Sequence, residues 1–330
     1  MNLETEYLGL KLKNPLMPGA SPLVDNLDHV RRLEDAGASA IVMRSLFEEQ
    51  LQLEEQSRYQ FIESHAESSS EALSYFPAAE DYSLTPDQYI EQIARIKAAV
   101  QIPVIASLNG VTPGGWVECS KHLEQAGASA IEMNFYDLPT DTESDAADVE
   151  GRAIDILQAI RQNVEIPIAV KLSPFFSSLP NFSATLVGAG ADGLVFFNRF
   201  YQPDIDIEEL EVTPTLHLSD PSELNLRLRW LAIVSAAVDT SYAVSGGVHS
   251  ATDAIKAIMT GAHAVQLVSV LLKRGPGYLG TILGEVTNWL NEHEYESVAQ
   301  LRGCMNLKKT PEPAAFERAN YLRVLQGWRV

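Results

Sequence analysis

The sequence is poor in cysteine. Only Cys119 and Cys304 occur among 330 residues, far apart and outside any metal-ligand spacing. That excludes a disulfide framework and a cysteine-based zinc site, and it suits a reducing compartment. Basic charge is scarce too: 24 Lys and Arg stand against 44 Asp and Glu, a net charge of −20. Such a chain repels nucleic acid and anionic membrane surfaces as a whole, so neither is expected as a partner. A local basic site for a small anion stays open. No apolar run approaches a membrane span, and the opening "MNLETEYLGL" lacks the basic start and apolar stretch of a secretory leader. The seven histidines are scattered with no metal-ligand spacing, so no metal is expected. A P-loop and a Gly-x-Ser-x-Gly elbow are missing as well. What remains is a soluble, cytoplasmic protein whose 46% hydrophobic content suffices for one large core.

What the sequence does contain is repetition. "RLEDAGASAIVMRS" from Arg32 rhymes with "HLEQAGASAIEMNF" from His122, "TLVGAGADGLVFFN" from Thr185 and "IMTGAHAVQLVS" from Ile258. Each copy is the tail of an amphipathic helix, a glycine (Gly37, Gly127, Gly190, Gly261) and a short apolar run. Glycine there fits a helix C-terminus that needs a left-handed residue. The runs fit strands buried on both faces of a parallel sheet. A second phrase, "VQIPVIAS" and "VEIPIAVK", places a proline at a strand's first residue, where no ladder bond is lost.

Strands are predicted near 15–20, 40–43, 103–107, 130–133, 167–171, 193–197, 242–245 and 264–268. Helices lie between them, for example after N-caps Thr85 and Ser250. Eight alternating units predict an α/β protein of (β/α)₈ TIM-barrel type, one domain over 1–330, rather than an open doubly wound sheet. "TEYLGLKLKNP" predicts a short hairpin plugging the barrel bottom. The long segments 45–85 and 199–223 follow strands 2 and 6, at the end of the barrel where sites are built. The acidic stretch 48–56 is expected to be a solvated face.

The predicted strands end in Ser21, Arg44, Ser107, Asn134, Lys171, Asn198, Ser245 and Ser269, which would converge on one mouth. Any strand must leave a core through something polar, and that explains the serines. It explains Lys171 in "IAVKLSP" poorly, because a desolvated ammonium needs a partner. An anionic ligand would be one. Gly246-Gly247 before a helix, with Val268-Ser269 after the last strand, matches where barrels bind phosphate. Cys119 sits in a predicted helix and is expected to be packing. With no side-chain nucleophile or metal in evidence, a phosphate-bearing cofactor is expected to carry the chemistry.

From "LGLKLKNPLMPGAS" to "LLKRGPGYL" the sequence resembles the FMN-dependent dihydroorotate dehydrogenase family. The match is most specific in "IPIAVKLSPFF", "GADGLVFFNR" and "SGGVHSATDAIKAIMTGAHAVQLVSVLLKRGP". The resemblance implies FMN as cofactor, with Ala20 and Ser21 along the flavin and Lys171 at its N1/O2 edge. It also implies that Asn134 and Asn198 touch flavin or substrate, that Ser107 faces the flavin, and that Gly246, Gly247, Val268 and Ser269 take the phosphate, beside Ser245. Arg44 replaces the family's lysine near substrate and flavin. Tyr136 and Asp137 stand where the family has a serine and the base of its Asn-Leu-Ser-Cys-Pro-Asn loop, and both are candidate bases. Pro139 replaces that loop's second asparagine. The substrate-binding Asn-Arg-Met-Gly element has no counterpart in "EALSYFPAAEDYS". The implied reaction is hydride transfer to FMN from a small dihydropyrimidine, dihydroorotate or a relative.

Quinone-using members carry an N-terminal amphipathic extension, whereas this sequence opens on the barrel. The resemblance therefore implies fumarate, nicotinamide through a partner subunit, or another redox protein as electron acceptor, and a homodimer. Two rival readings are a barrel lyase or isomerase with Lys171 as Schiff-base nucleophile, and a flavin-binding accessory protein without dihydroorotate activity.

Overall fold

A computed structural model describes residues 1–50, 84–110, 116–200, 202–213 and 217–327. The segment "EALSYFPAAEDYS" and most of the acidic stretch 48–56 lie outside the described residues.

The four rhyming segments are one structural device repeated. Gly37, Gly127, Gly190 and Gly261 all have positive φ. In each copy the alanine that follows donates its N–H to the carbonyl five residues back: Ala38 to Leu33, Ala128 to Leu123, Ala191 to Leu186 and Ala262 to Ala257. This is the Schellman closure, which satisfies a helix's last carbonyls and turns the chain sharply into the next strand.

The chain starts with a hairpin, β1 (Thr5–Tyr7) and β2 (Leu10–Leu12), and then builds the barrel. Its strands are β3 (Leu16–Pro18), β4 (Ile41–Phe47), β5 (Val104–Asn109), β6 (Ala130–Asn134), β7 (Ile168–Leu172), β8 (Gly193–Phe196), β11 (Ser241–Ser245) and β12 (Ala264–Leu267). A small hairpin, β9 (Asp204–Asp206) with β10 (Glu211–Thr213), is inserted after β8. The eight barrel strands form a parallel sheet in the order β3-β12-β11-β8-β7-β6-β5-β4. The remaining gap is bridged by Ser39, whose N–H and Oγ both donate to Leu16 O, at 3.0 and 2.8 Å. The result is the (β/α)₈ barrel expected.

Prolines lead three strands without disturbing the ladder. The carbonyls of Pro15, Pro103 and Pro167 accept from Val265, Ile41 and Ile131. The predicted caps are present as capping boxes, Thr85 with Gln88 and Ser250 with Asp253. Among the described residues no helix is long and apolar enough to cross a membrane.

Two apolar layers hold the fold. The larger lies between the strands' outer faces and the helices, and includes Cys119, whose thiol burial pushes up to about 12. The smaller fills the barrel interior at its N-terminal end, where Tyr7, Leu8 and Leu12 of the hairpin insert among strand residues. Ala130, Ala169, Ala243 and Ala264 face that plug, and their small side chains leave it room. The hairpin thus closes the bottom, and everything polar inside the barrel is left to the top.

Candidate active site at the barrel mouth

Above the apolar plug the interior turns polar. Glu132 of β6, Lys171 of β7 and Gln266 of β12 are nearly fully buried there. Lys171 Nζ lies 3.1 Å from Glu132 Oε1 and 3.5 Å from Gln266 Oε1, and Gln266 Nε2 donates to Glu132 Oε2. The partner that a desolvated Lys171 required is therefore within the protein. Neither Glu132 nor Gln266 was singled out from the sequence. The available signal was a polar residue inside the apolar runs "AIEM" and "AVQLV", on the inward parity.

Beside this triad Ser45 Oγ meets Ser107 Oγ at 2.9 Å, and Asn134 Nδ2 donates to Ser107 Oγ and Leu108 O at 2.9 and 3.0 Å. Ser107 is fully buried beneath the mouth and supports Asn134 rather than lining the cavity. A register shift in β4 between Val42 and Ser45 decides the fate of Arg44. The irregularity puts Ser45 opposite Ser107, and Arg44 pairs with Asp25 at 2.9 Å, outside the cavity. Of the two, Ser45 lines the cavity and Arg44 does not.

The mouth holds a cavity of about 400 Å³, within the range that encloses cofactor-sized ligands. Ala20, Asn134, Tyr136, Lys171 and Asn198 line one part of it, and Ser245, Gly246, Val268 and Ser269 another. Ser21 is near but outside, leading the turn Pro22–Asp25 with its Oγ buried and unpartnered.

The second part is cationic in an acidic chain. Arg227, almost fully buried, donates to Ser245 O and Glu223 O, and burial pulls its pKa down while Glu223 opposes the shift. Arg199 also pairs with Glu223. Two arginines on one carboxylate leave a net positive charge at this wall. Ser219 ties the loops together: its hydroxyl meets Ser269 Oγ at 2.8 Å and accepts from Gly247 N at 3.2 Å. Gly247 is therefore a support behind the cavity wall. Arg199, Ser219 and Arg227 carried no sequence signal, because they enter from the β8 insertion and the following helix Leu224–Ala237.

Glycine is required here. A Cβ on Gly247 would stand 2.5 Å from Leu224 N, and one on Gly246 2.7 Å from Arg227 Nη2. Among the described residues that line the mouth, Asn198 Nδ2 and Arg199 Nε are buried donors without partners. An unpaired buried donor is costly unless a ligand supplies the acceptor. A ligand with an anionic end and a polar ring edge fits this set, as FMN has.

Tyr136 and Asp137 part company. Tyr136 lines the mouth and stacks on Phe200, ring centroids 4.7 Å apart. Asp137 turns the other way, where Arg152 holds it through Nε at 3.2 Å and Nη2 at 2.6 Å. It lines a separate cavity and not the mouth.

Fold and site together define a (β/α)₈ barrel with a polar, ligand-sized mouth floored by a buried Lys–Glu pair. The chain belongs to the dihydroorotate dehydrogenase family, whose profile matches residues 2–290. It is 26% identical to the catalytic subunit of dihydroorotate dehydrogenase B (NAD(+)) of Thermoplasma volcanium, over 92% of this chain and 98% of that one. The subunit of the same name from Geobacter sp. is 30% identical over 67% of this chain and 74% of its own. That of Halalkalibacterium halodurans is 29% identical over 64% and 70%.

Proposed function

We propose that the chain is an FMN-dependent oxidoreductase of dihydroorotate dehydrogenase-like activity, acting on a CH–CH bond of a small dihydropyrimidine-type molecule. Dihydroorotate, oxidised to orotate in pyrimidine biosynthesis, is the first candidate. The observation that carries this reading is the pairing, in one cavity, of a buried lysine floor with a glycine-, serine- and arginine-built anion wall.

In this reading Gly246, Ser269 and Arg227 hold the cofactor's phosphate, with Gly247 and Ser219 bracing them. Lys171 would meet the polar edge of its ring, and Ala20, Ser45 and Asn134 would complete the walls around it. FMN, when bound, supplies the electron-accepting ring. Lys171 offers positive charge where negative charge collects on reduction, and Glu132 and Gln266 fix its ammonium in place. Asn198 offers an unpartnered Nδ2 to the substrate or the ring. Tyr136 is the base candidate that faces the mouth; to take the substrate's proton, its phenolic oxygen must first release its own proton to solvent. The Schiff-base alternative is not favoured, because the nitrogen it needs is held by Glu132 and Gln266.

The relatives' names, catalytic subunits of an NAD(+) enzyme, support a partner subunit as electron acceptor. A cytoplasmic location and a homodimer complete the proposal.

The test is the visible spectrum of the purified protein under anaerobic conditions, before and after dihydroorotate. Oxidised-flavin bands that bleach support both cofactor and substrate. Bands that persist leave the cofactor and move the substrate elsewhere. Protein that stays colourless after reconstitution with FMN overturns the reading. Lys171→Ala should lower FMN affinity at least tenfold; unchanged retention and redox behaviour would remove Lys171 from this role.

A further inference from the structure

Three cations line the mouth, Lys171, Arg199 and Arg227, and no carboxylate does among the described residues. In a chain of net charge −20, that gathering of positive charge marks a place for anions. The three are not equally available. The side chains of Lys171 and Arg227 are 7% and 5% exposed, whereas that of Arg199 is 32% exposed. Lys171 is held by Glu132 and Gln266, and Arg227 by the carbonyls of Ser245 and Glu223. Arg199 gives one terminal nitrogen, Nη1, to the Glu223 carboxylate, which Arg227 also approaches at 3.7 Å. One negative charge thus serves two positive ones. The Nε of Arg199 is buried without a partner. A guanidinium carries five donors in a planar fork, so Arg199 keeps charge and donors for a ligand.

Its place in the chain points to which part of a ligand that is. Just beyond β8, Asn198 and Arg199 line the mouth, and Phe200 stacks on Tyr136. Arg199 therefore stands between an amide facing the mouth and the ring against which the base candidate rests. In the reading above, the cofactor's phosphate is already served by Arg227, Gly246 and Ser269. A substrate carboxylate drawn out of water also needs a charged hydrogen-bonding partner. Arg199 is the most exposed of the three cations. In dihydroorotate the carboxylate sits on one carbon of the CH–CH bond to be oxidised. Gripping it would fix that bond relative to Asn198 and Tyr136.

We propose that Arg199 reads the carboxylate of the substrate and so sets the preference of the mouth for anionic over neutral dihydropyrimidines. This rests on the oxidoreductase reading and names the residue that determines its specificity.

The test uses the protein as purified with its flavin. Orotate and its neutral amide, orotamide, are titrated by calorimetry into wild type, Arg199→Gln and Arg199→Lys. Wild type should bind orotate roughly tenfold or more tighter than orotamide, the size expected of a hydrogen bond to a charged group. Arg199→Gln should erase that preference by weakening orotate alone, with orotamide affinity and flavin content unchanged. Arg199→Lys keeps the charge without the fork and should retain part of the preference; it also serves should the glutamine variant fold poorly. No preference for orotate in wild type, or a preference that survives in Arg199→Gln, overturns the proposal. Equal weakening of both ligands does so too. Loss of flavin from Arg199→Gln in step with loss of orotate would put Arg199 on the phosphate instead. Failure of the flavin reading is seen separately, in the colour of the same samples, because calorimetry reads the carboxylate preference without it.

Discussion

Glu132 and Lys171 form an ion pair almost wholly removed from water. Their attraction in a low-dielectric interior is offset by the cost of desolvating both, so the intact pair adds little net stability. Breaking it is another matter. Glu132→Ala strands a buried ammonium and should destabilise the protein by about 3–5 kcal/mol in urea unfolding. The double variant Glu132→Gln, Lys171→Met should recover most of that loss while still binding FMN weakly. Recovery of stability without recovery of the cofactor would separate what the pair does for function from what it does for folding. Arg44 offers a contrasting residue. Its pair with Asp25 is roughly a third exposed and screened, worth under about 1 kcal/mol. Arg44→Ala should leave both stability and FMN retention close to wild type, whereas Ser45→Val should impair retention.

At the scale of elements, the glycine-closed helix end is the unit from which four of the strand entries are made. The same strictness governs the loop after β11. Gly247 combines a φ of +79° with backbone 2.5 Å from where a Cβ would sit. Gly247→Ala therefore meets both left-handed strain and an immovable neighbour, and should cost more than about 1 kcal/mol. Because Gly247 also donates to Ser219, anion affinity at the mouth should fall in parallel; fluorescence quenching of added FMN would measure it. Intact FMN affinity in a folded Gly247→Ala protein would place the phosphate elsewhere.

For the molecule as a whole, the bottom of the barrel carries a pH-sensitive seam. His263 Nδ1 accepts from Tyr242 N at 3.1 Å, and burial, helped by Arg302, pulls its pKa from 6.5 down to about 4. A proton on Nδ1 would remove that acceptor. Between pH 4 and 6.5 the unfolded chain binds the proton and the folded one does not. Stability from this residue is therefore full above pH 6.5, and it is lost as pH falls toward 4. The loss is about 2–3 kcal/mol. Thermal melts of wild type against His263→Asn should converge across that window as pH drops, which isolates His263 from the many carboxylates that titrate nearby. Curves that stay parallel would mean His263 is already protonated in the fold.

The sequence by itself determined the barrel, because its cause is local and repeated: helix-ending glycines, strand-leading prolines and short apolar runs each act within a few residues. It also marked Lys171, Asn134, Asn198 and the Gly246-Gly247 loop, since a polar residue ending an apolar run is visible in one dimension. Tertiary structure decided the rest. Glu132 and Gln266 became partners of Lys171 only when three strands closed round one axis. Arg227 and Ser219 reached the cationic wall from a helix and an insertion far along the chain. One irregularity in β4 brought Ser45 to the cavity in place of Arg44, and the segment leaving β6 sent Tyr136 and Asp137 into different cavities. Facing and distance across a closed sheet are properties of the assembled barrel, and composition and spacing along the chain do not contain them.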